Sequence, residues 1–349
     1  MPDASPKVLV IRRRYLGDIV LLGSVFRNLR LHWPGVHLAL LTEAPYAGLA
    51  PLNPDLDAAH TFPRRVGEWP AFLRTLRRER FTHVLDFDNT DKTALLTRLT
   101  GAPCRVAFDR ELIPFRHRRL YTHSAKVTNA FYDSHHITET YLQLLGPLAV
   151  PLATREVRLV PRESALAVIA PLSGGLKSKI KNQESRILVH PGSRSAHRIW
   201  PPERFAAVCD RLQDELEAQV FLVAGPAEQS LVQQIRAHAK SHLVALDRPL
   251  PVGEFAALAA QFDVVLCHDS GPMHVAAAVG TPVVALFGSQ NATIWRPLGD
   301  RHTVLQASLP CTCLGPAAPT PCVKGDAYRS YCVRKITEAE VFAAVASRL

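Results

Sequence analysis

From Val264 to Gly288 the chain reads VVLCHDSGPMHVAAAVGTPVVALFG: an apolar run, a polar turn, a proline opening an alanine-rich stretch, and a second apolar run. Runs this short and this uniformly apolar suit strands buried on both faces, joined by a compact helix. The same alternation recurs elsewhere. Lys7–Ile11 reads as a buried strand, Ile19–His32 as a helix stopped by Trp33-Pro34-Gly35, and Val36–Leu41 and Phe81–Phe87 as further strands. It restarts after the polar, Gly- and Lys-rich segment from Ser173 to Glu184. There Arg186–His190 reads as a strand, Glu203–Leu216 as a helix and Val220–Ala224 as a strand. Alternating βα units imply a parallel sheet covered by helices on both faces. A chain of 349 residues accommodates two of them. The expected fold class is therefore α/β, with two Rossmann-like domains facing each other across a cleft. Ligands of such sheets bind outside the carboxyl ends of the strands.

Three strand ends carry the chemistry. The first reads RRRYLGDIV, with Gly17 permitting a tight turn and Asp18 where the next helix starts. Asp18 is either an N-cap or a carboxylate that takes a proton from an attacking hydroxyl. An aspartate is a weak base, so in the second role it would act as charge develops on that hydroxyl. The Gly-x-Gly-x-x-Gly of a dinucleotide cofactor is missing, which argues against an NAD-dependent oxidoreductase.

The second strand end, ILVHPGSRSAHRIWPPERF, collects Gly192, Ser193, Arg194, Ser195, His197 and Arg198. Small residues let backbone N–H groups approach an anion, hydroxyls add donors, and arginines supply fixed charge. The pattern suits a phosphate cradle, but without the Gly-Lys-Ser/Thr of ATP-hydrolysing loops. A surface loop with ordinary arginines is the competing reading. At the third strand end Asp269, Ser270 and Gly271 surround a helix N-terminus. Pro272 falls in its first turn, His274 one turn in, and Gly280 just past its end. Asp269 would cap this helix or accept from a sugar hydroxyl. A histidine at position 274 is more commonly a packed core residue.

These motifs together resemble glycosyltransferase family 9, the ADP-heptose:lipopolysaccharide heptosyltransferases. They are R-x-x-x-L-G-D ending at Asp18, H-P-G-S-x-x-x-x-R-x-W-P from His190, and D-S-G-P-M-H from Asp269. His136 before Tyr141-Leu142, and Gly225 before Glu228, add to the likeness, which runs in the family's order from about residue 8 to 335. The resemblance implies a GT-B fold and an inverting, metal-independent transfer of L-glycero-D-manno-heptose from ADP-heptose to the lipopolysaccharide inner core. Asp18 falls on the family's proposed base. Gly192, Ser193, Arg198, Glu228, Asp269, Ser270, Gly271 and His274 fall on donor-binding positions, Glu228 beside the adenosine ribose. The implied domains are 1–172 for the acceptor, a linker over 173–185, 186–335 for the donor, and a helix over 336–349 returning to the first domain. Gly192-Ser193 and Arg198 stand where family members often carry Thr-Thr and Lys, and Asp86-Phe87-Asp88 where Asp-Leu-Gln is common. Transfer of another nucleotide-sugar to an envelope glycan, a GT-B epimerase and a non-catalytic nucleotide-sugar binder are the alternatives.

A formal net charge of +10 asks for an acidic partner. Between Arg64 and Arg119 there are 13 Lys/Arg against 7 Asp/Glu, so the excess concentrates in the first half. Arg64, Arg65, Arg116, Arg118 and Arg119 are the candidates for a phosphorylated, lipid-linked acceptor and for contact with an anionic membrane. No aromatic-interleaved basic stripe accompanies them, so nucleic acid is not an expected partner. Without a signal-like or membrane-spanning stretch, a cytoplasmic monomer is expected, either free or peripheral at the inner membrane face. No cofactor is expected. Fixed donors at the second and third strand ends would stabilise the leaving diphosphate where other transferases use a metal. The spacing of Cys311, Cys313, Cys322 and Cys332 lacks the C-x2-C pairs of a zinc site. Packed thiols, a structural metal and oxidised pairs all remain open for them, whereas Cys104, Cys209 and Cys267 read as buried small residues.

Overall fold

The computed structural model describes residues 5–173, 185–194, 198–246, 248–288, 290–307 and 331–349. They form two compact units, 1–158 and 159–349, each built on a six-stranded sheet whose strands all pair in parallel. The first unit contains β1 (Lys7–Ile11), β2 (His37–Thr42), β3 (Ala58–Thr61), β4 (His83–Asp86), β5 (Cys104–Arg110) and β6 (His123–Val127). The second contains β7 (Arg186–His190), β8 (Gln219–Leu222), β9 (Val244–Ala245), β10 (Val264–His268), β11 (Val283–Phe287) and β12 (Thr303–Gln306). The orders are β3-β2-β1-β4-β5-β6 and β9-β8-β7-β10-β11-β12. Counted within its own unit, each runs 3-2-1-4-5-6, the doubly wound order. The α/β class with two Rossmann-like units is thus present.

The central strands owe their place to composition. Val8 to Ile11 and Val264 to Cys267 are all fully buried. A strand covered on both faces needs no polar alternation, because helices shield both sides. In the first unit Leu9, Ile11, Leu41 and Val84 pack with Leu76, Phe81 and Leu96. In the second, Ile187, Val189 and Leu266 pack with Trp200, Phe205 and Leu212.

Two boundaries differ from expectation. Leu159 already belongs to the second unit: its N–H donates to the Ala278 carbonyl at 2.9 Å, and its side chain is buried. Helix Glu163–Ser173 follows and packs on helix Val252–Ala259, so the second unit starts before the polar segment. The linker expected over 173–185 falls almost entirely outside the described residues. Helix Glu338–Ala346, expected to return to the first domain, buries Val341, Ala344 and Val345 in the core of the second unit. The indole N–H of the fully buried Trp200 donates to the Ile336 carbonyl at 3.0 Å, and Arg204 donates to the carbonyls of Arg334 and Ile336. Apolar burial and these bonds hold the C-terminal segment where it lies.

Candidate active site

In a 3-2-1-4-5-6 sheet the crevice forms where strand order reverses, between the first and fourth strands. In the first unit that point lies beyond the ends of β1 and β4. Helix Leu16–Leu21 starts three residues earlier than the sequence suggested and gives way at Leu22 to helix Gly23–His32. Asp18 consequently sits inside the first turn, 8% exposed. Its two oxygens do different work. Oδ2 accepts the Tyr15 N–H at 3.3 Å, which is the capping role. Oδ1 accepts from the Arg12 guanidinium and, at 2.5 Å, from the Tyr141 hydroxyl. Burial, with Asp18 adding to it, holds the Tyr141 phenol well above its ordinary range, so it is a neutral donor.

Arg12 is fastened in turn. Its Nη1 donates to the Phe87 carbonyl at 2.9 Å and lies 3.4 Å from Asp88 Oδ1. Asp88 Oδ2 accepts the Arg13 N–H at 2.8 Å. Asp86 is fully buried; Oδ1 accepts the N–H groups of Asp88 and Asn89, and Oδ2 the Tyr121 hydroxyl at 2.7 Å. Asp86-x-Asp88 is thus a turn-forming pair committed to the chain itself. Burial, opposed by Arg12, lifts the Asp88 carboxyl to about 6. The result is a carboxylate held rigidly at a strand end by a cation and a phenol, the support a general base requires.

The second unit uses its own reversal point differently. Beyond β7, a Cβ on Gly192 would stand 2.3 Å from Glu228 Cδ, so any larger residue there would have to push that carboxylate aside. Glu228 is anchored there by the Gly225 N–H at 2.8 Å. Beyond β10, Asp269 pairs with Arg198 at 3.1 Å instead of capping the next helix. Burial, opposed by Arg198 and then Arg194, lifts Asp269 to about 6. Ser193 is buried, with Oγ 3.5 Å from the Asp269 carbonyl. Helix Gly271–Ala278 starts after Ser270, which makes no side-chain cap, and the buried Ser270 Oγ has no hydrogen-bond partner among the described residues. His274 is buried on that helix. Beneath the turn, His268 Nε2 accepts the Trp200 N–H at 2.7 Å. Burial, then His190, holds His268 down near 3, so it stays neutral. Gly192, Ser193, Arg198, Glu228, Asp269, Ser270 and Gly271 therefore meet at one sheet edge, which offers hydroxyls, a guanidinium and a helix N-terminus to an anion.

Arg64, Arg65, Arg116, Arg118 and Arg119 are all exposed on the first unit. Arg64 and Arg65 follow β3, so they leave the carboxyl edge of the sheet that carries Asp18. Arg116 is close enough to influence Asp91, at the start of helix Asp91–Leu99. Arg118 and Arg119 lie on a turn running away from that edge, since Leu120 accepts from Arg105 near the start of β5. Ser195 and His197 lie outside the described residues, as do the side chains of Cys311, Cys313, Cys322 and Cys332. Cys209 and Cys267 are buried as expected, but Cys104 is only half-buried, its Sγ 3.8 Å from His123 Nδ1. Reading the sequence missed the parts Arg12 and Tyr141 play. The spacing R-x-x-x-L-G-D pointed at Arg12, and Tyr141 entered only as part of the likeness after His136; nothing local ties it to Asp18, 123 residues away.

This architecture is that of the GT-B glycosyltransferases. A structure of a family 9 glycosyltransferase from Veillonella parvula superposes with a TM-score of 0.81 at 20% identity, covering 99% of this chain and 98% of the other. Escherichia coli ADP-heptose LPS heptosyltransferase II gives a TM-score of 0.78 at 20% identity, with 98% of each chain covered. The family itself is shown by sequence. The model for glycosyltransferase family 9 (heptosyltransferase) matches residues 69–317, and the chain belongs to that family. It is a glycosyltransferase. Lipopolysaccharide heptosyltransferase 3 of E. coli K12 is 26% identical over 299 residues, 81% of this chain and 83% of its own.

Proposed function

We propose that the protein transfers a heptose from ADP-L-glycero-D-manno-heptose to the inner core of lipopolysaccharide, with inversion and without a metal ion. Asp18 carries this reading. Its Oδ1 is tied to Arg12 and Tyr141, while Oδ2 accepts only a long backbone bond and keeps lone pairs for a substrate proton. In the step, the acceptor oxygen attacks the anomeric carbon from the face opposite the diphosphate, so the configuration inverts. The hydroxyl proton passes to Asp18, the anomeric C–O bond breaks, and its electron pair leaves with ADP. Charge then grows on the departing diphosphate. Ser193, Arg198 and the N–H groups after Ser270 supply the fixed donors that stabilise it, and Glu228 accepts from the adenosine ribose. The relatives support the choice of substrates, since one is named for ADP-heptose and LPS and another for lipopolysaccharide heptosyl transfer.

Asp269 is the point to reconcile, because a buried carboxylate beside a diphosphate is repulsive. Its carboxyl, lifted to about 6, sits beside Arg198 and would turn to a sugar hydroxyl as the diphosphate takes the guanidinium. Of the exposed arginines at 64, 65, 116, 118 and 119, Arg64 and Arg65, which leave the Asp18 edge, are assigned to the phosphorylated, lipid-linked acceptor, and Arg116, Arg118 and Arg119 to the anionic cytoplasmic face of the membrane. No described helix is long and apolar enough to cross a bilayer.

The test is transfer from ADP-heptose to isolated lipopolysaccharide core acceptor, against UDP- and GDP-sugars, with and without EDTA. Heptose incorporation that survives EDTA is expected. A strict requirement for added Mg²⁺ or Mn²⁺ overturns the metal-free mechanism, and preference for another donor overturns the substrate.

A further inference from the structure

An arginine outside both strand-end clusters is placed to read the acceptor. Arg110 ends β5, on the same sheet edge as Asp18, two strand spacings from β1, or about 10 Å. Its guanidinium carbon lies 3.8 Å from the centre of the Tyr132 ring, on helix Asn129–Ser134. It joins no ion pair among the described residues, and its buried Nε finds no hydrogen-bond acceptor. At the start of the helix that carries Tyr132, Asn129 Oδ1 is buried and without a hydrogen-bond partner among the described residues too, although the Asn129 N–H donates to Glu111 at 2.8 Å. Buried N–H groups are rarely left unpaired, because an unmet donor forfeits the hydrogen bonds it made to water. A cation–π contact accounts for one face of the guanidinium and leaves its in-plane fork of donors unused.

We propose that Arg110, stacked on Tyr132, binds an oxyanion of the acceptor, a carboxylate or a phosphate, by a paired hydrogen bond, and so sets acceptor specificity. The fork matches the two oxygens of such a group, and Asn129 Oδ1 would accept from a neighbouring hydroxyl. This rests on the glycosyl-transfer reading above.

Arg110→Ala and Arg110→Lys are expected to raise the acceptor KM about 10- to 100-fold, the worth of a charged hydrogen bond. Turnover and donor affinity should stay within about twofold, the signature of lost ground-state binding. Lysine keeps the charge over the ring but not the fork, so it should not rescue. Acceptor stripped of its phosphates, and acceptor whose carboxylates are reduced to alcohols, separate the two sources. The penalty should vanish on one of them. An unchanged KM in Arg110→Lys, or a penalty persisting on both altered acceptors, overturns the proposal. A readout independent of transfer is the ¹⁵N resonance of the Arg110 Nε–H, assigned by its loss in Arg110→Lys. Titrating inorganic phosphate or acetate into the wild-type protein should shift it, and no shift with either anion overturns the proposal. Wild-type protein inactive with ADP-heptose would defeat the functional reading and leave this resonance to decide the anion site.

Discussion

The two units share a strand order and place their candidate site residues at the same reversal point, yet they furnish it in opposite ways. In the first, three carboxylates, Asp18, Asp86 and Asp88, gather round Arg12, Arg13 and two tyrosines. Each accepts hydrogen bonds from within the unit. In the second, the equivalent edge is lined with small residues, and Ser270 Oγ and Arg198 Nε are buried without hydrogen-bond partners among the described residues. One parallel survives. Each edge holds an aspartate beside an arginine, Asp88 with Arg12 and Asp269 with Arg198, and burial lifts both carboxyls to about 6. At the first edge it is the carboxylates that are satisfied, although Arg12 Nε and Arg13 Nε are buried there without hydrogen-bond partners among the described residues; carboxylates held in this way suit a base whose geometry must be fixed before substrate arrives. An edge with donors in reserve suits an anion that brings its own acceptors. The fold supplies the location and the strand-end residues supply the chemistry.

Removing the proposed base breaks the comparison most severely. Asp18→Asn should cut turnover about 10²- to 10⁴-fold with donor affinity kept, the usual worth of a general base. Near-normal turnover would reduce Asp18 to its bond with Tyr15. On the other edge, Arg198→Gln should lower kcat/KM about 10²- to 10³-fold by removing a donor to the leaving group. Steady-state kinetics decides this, and a raised donor KM with unchanged turnover would show Arg198 acting only in ground-state binding.

The carboxyl beside Arg12 offers a pH test. Asp88 rises to about 6 in the fold from an unfolded value of 3.8. Its favourable contribution is therefore complete below about pH 4 and lost as pH climbs through 6, when the native state must hold a buried charge. Between those limits the stability of the wild type relative to Asp88→Asn should fall by up to about 3 kcal/mol. Denaturant melts at several pH values measure it, and a pH-independent difference contradicts the burial argument. Tyr141→Phe gives the smallest effect, at least about a tenfold loss in kcat with unchanged substrate KM, from one hydrogen bond to a charged group. A raised KM instead would mean that Tyr141 touches substrate.

Much of this could be read before any coordinates. The strand Arg186–His190 was found to the residue, because a run of apolar residues next to a Gly-Ser turn permits little else. Short or polar strands were harder. Nothing in His123–Val127, HSAKV, marks it as a strand, since it sits at a sheet edge where only alternate residues are buried. The break at Leu22 was also invisible, and so was the membership of Leu159 and of the C-terminal helix in the second unit.

Read alone, the order of residues determined the alternation of strands and helices, the two α/β units and the turns that bear Asp18, Gly192 and Asp269. Each of these follows from contacts between near neighbours and from local apolar period. Tertiary structure decided which groups those residues meet: Tyr141 at Asp18, Glu228 over Gly192, Arg198 at Asp269, and Arg110 on Tyr132. Such pairs join side chains far apart in the chain, brought together by parallel pairing and burial. Their energies depend on distance and dielectric, which no local pattern encodes.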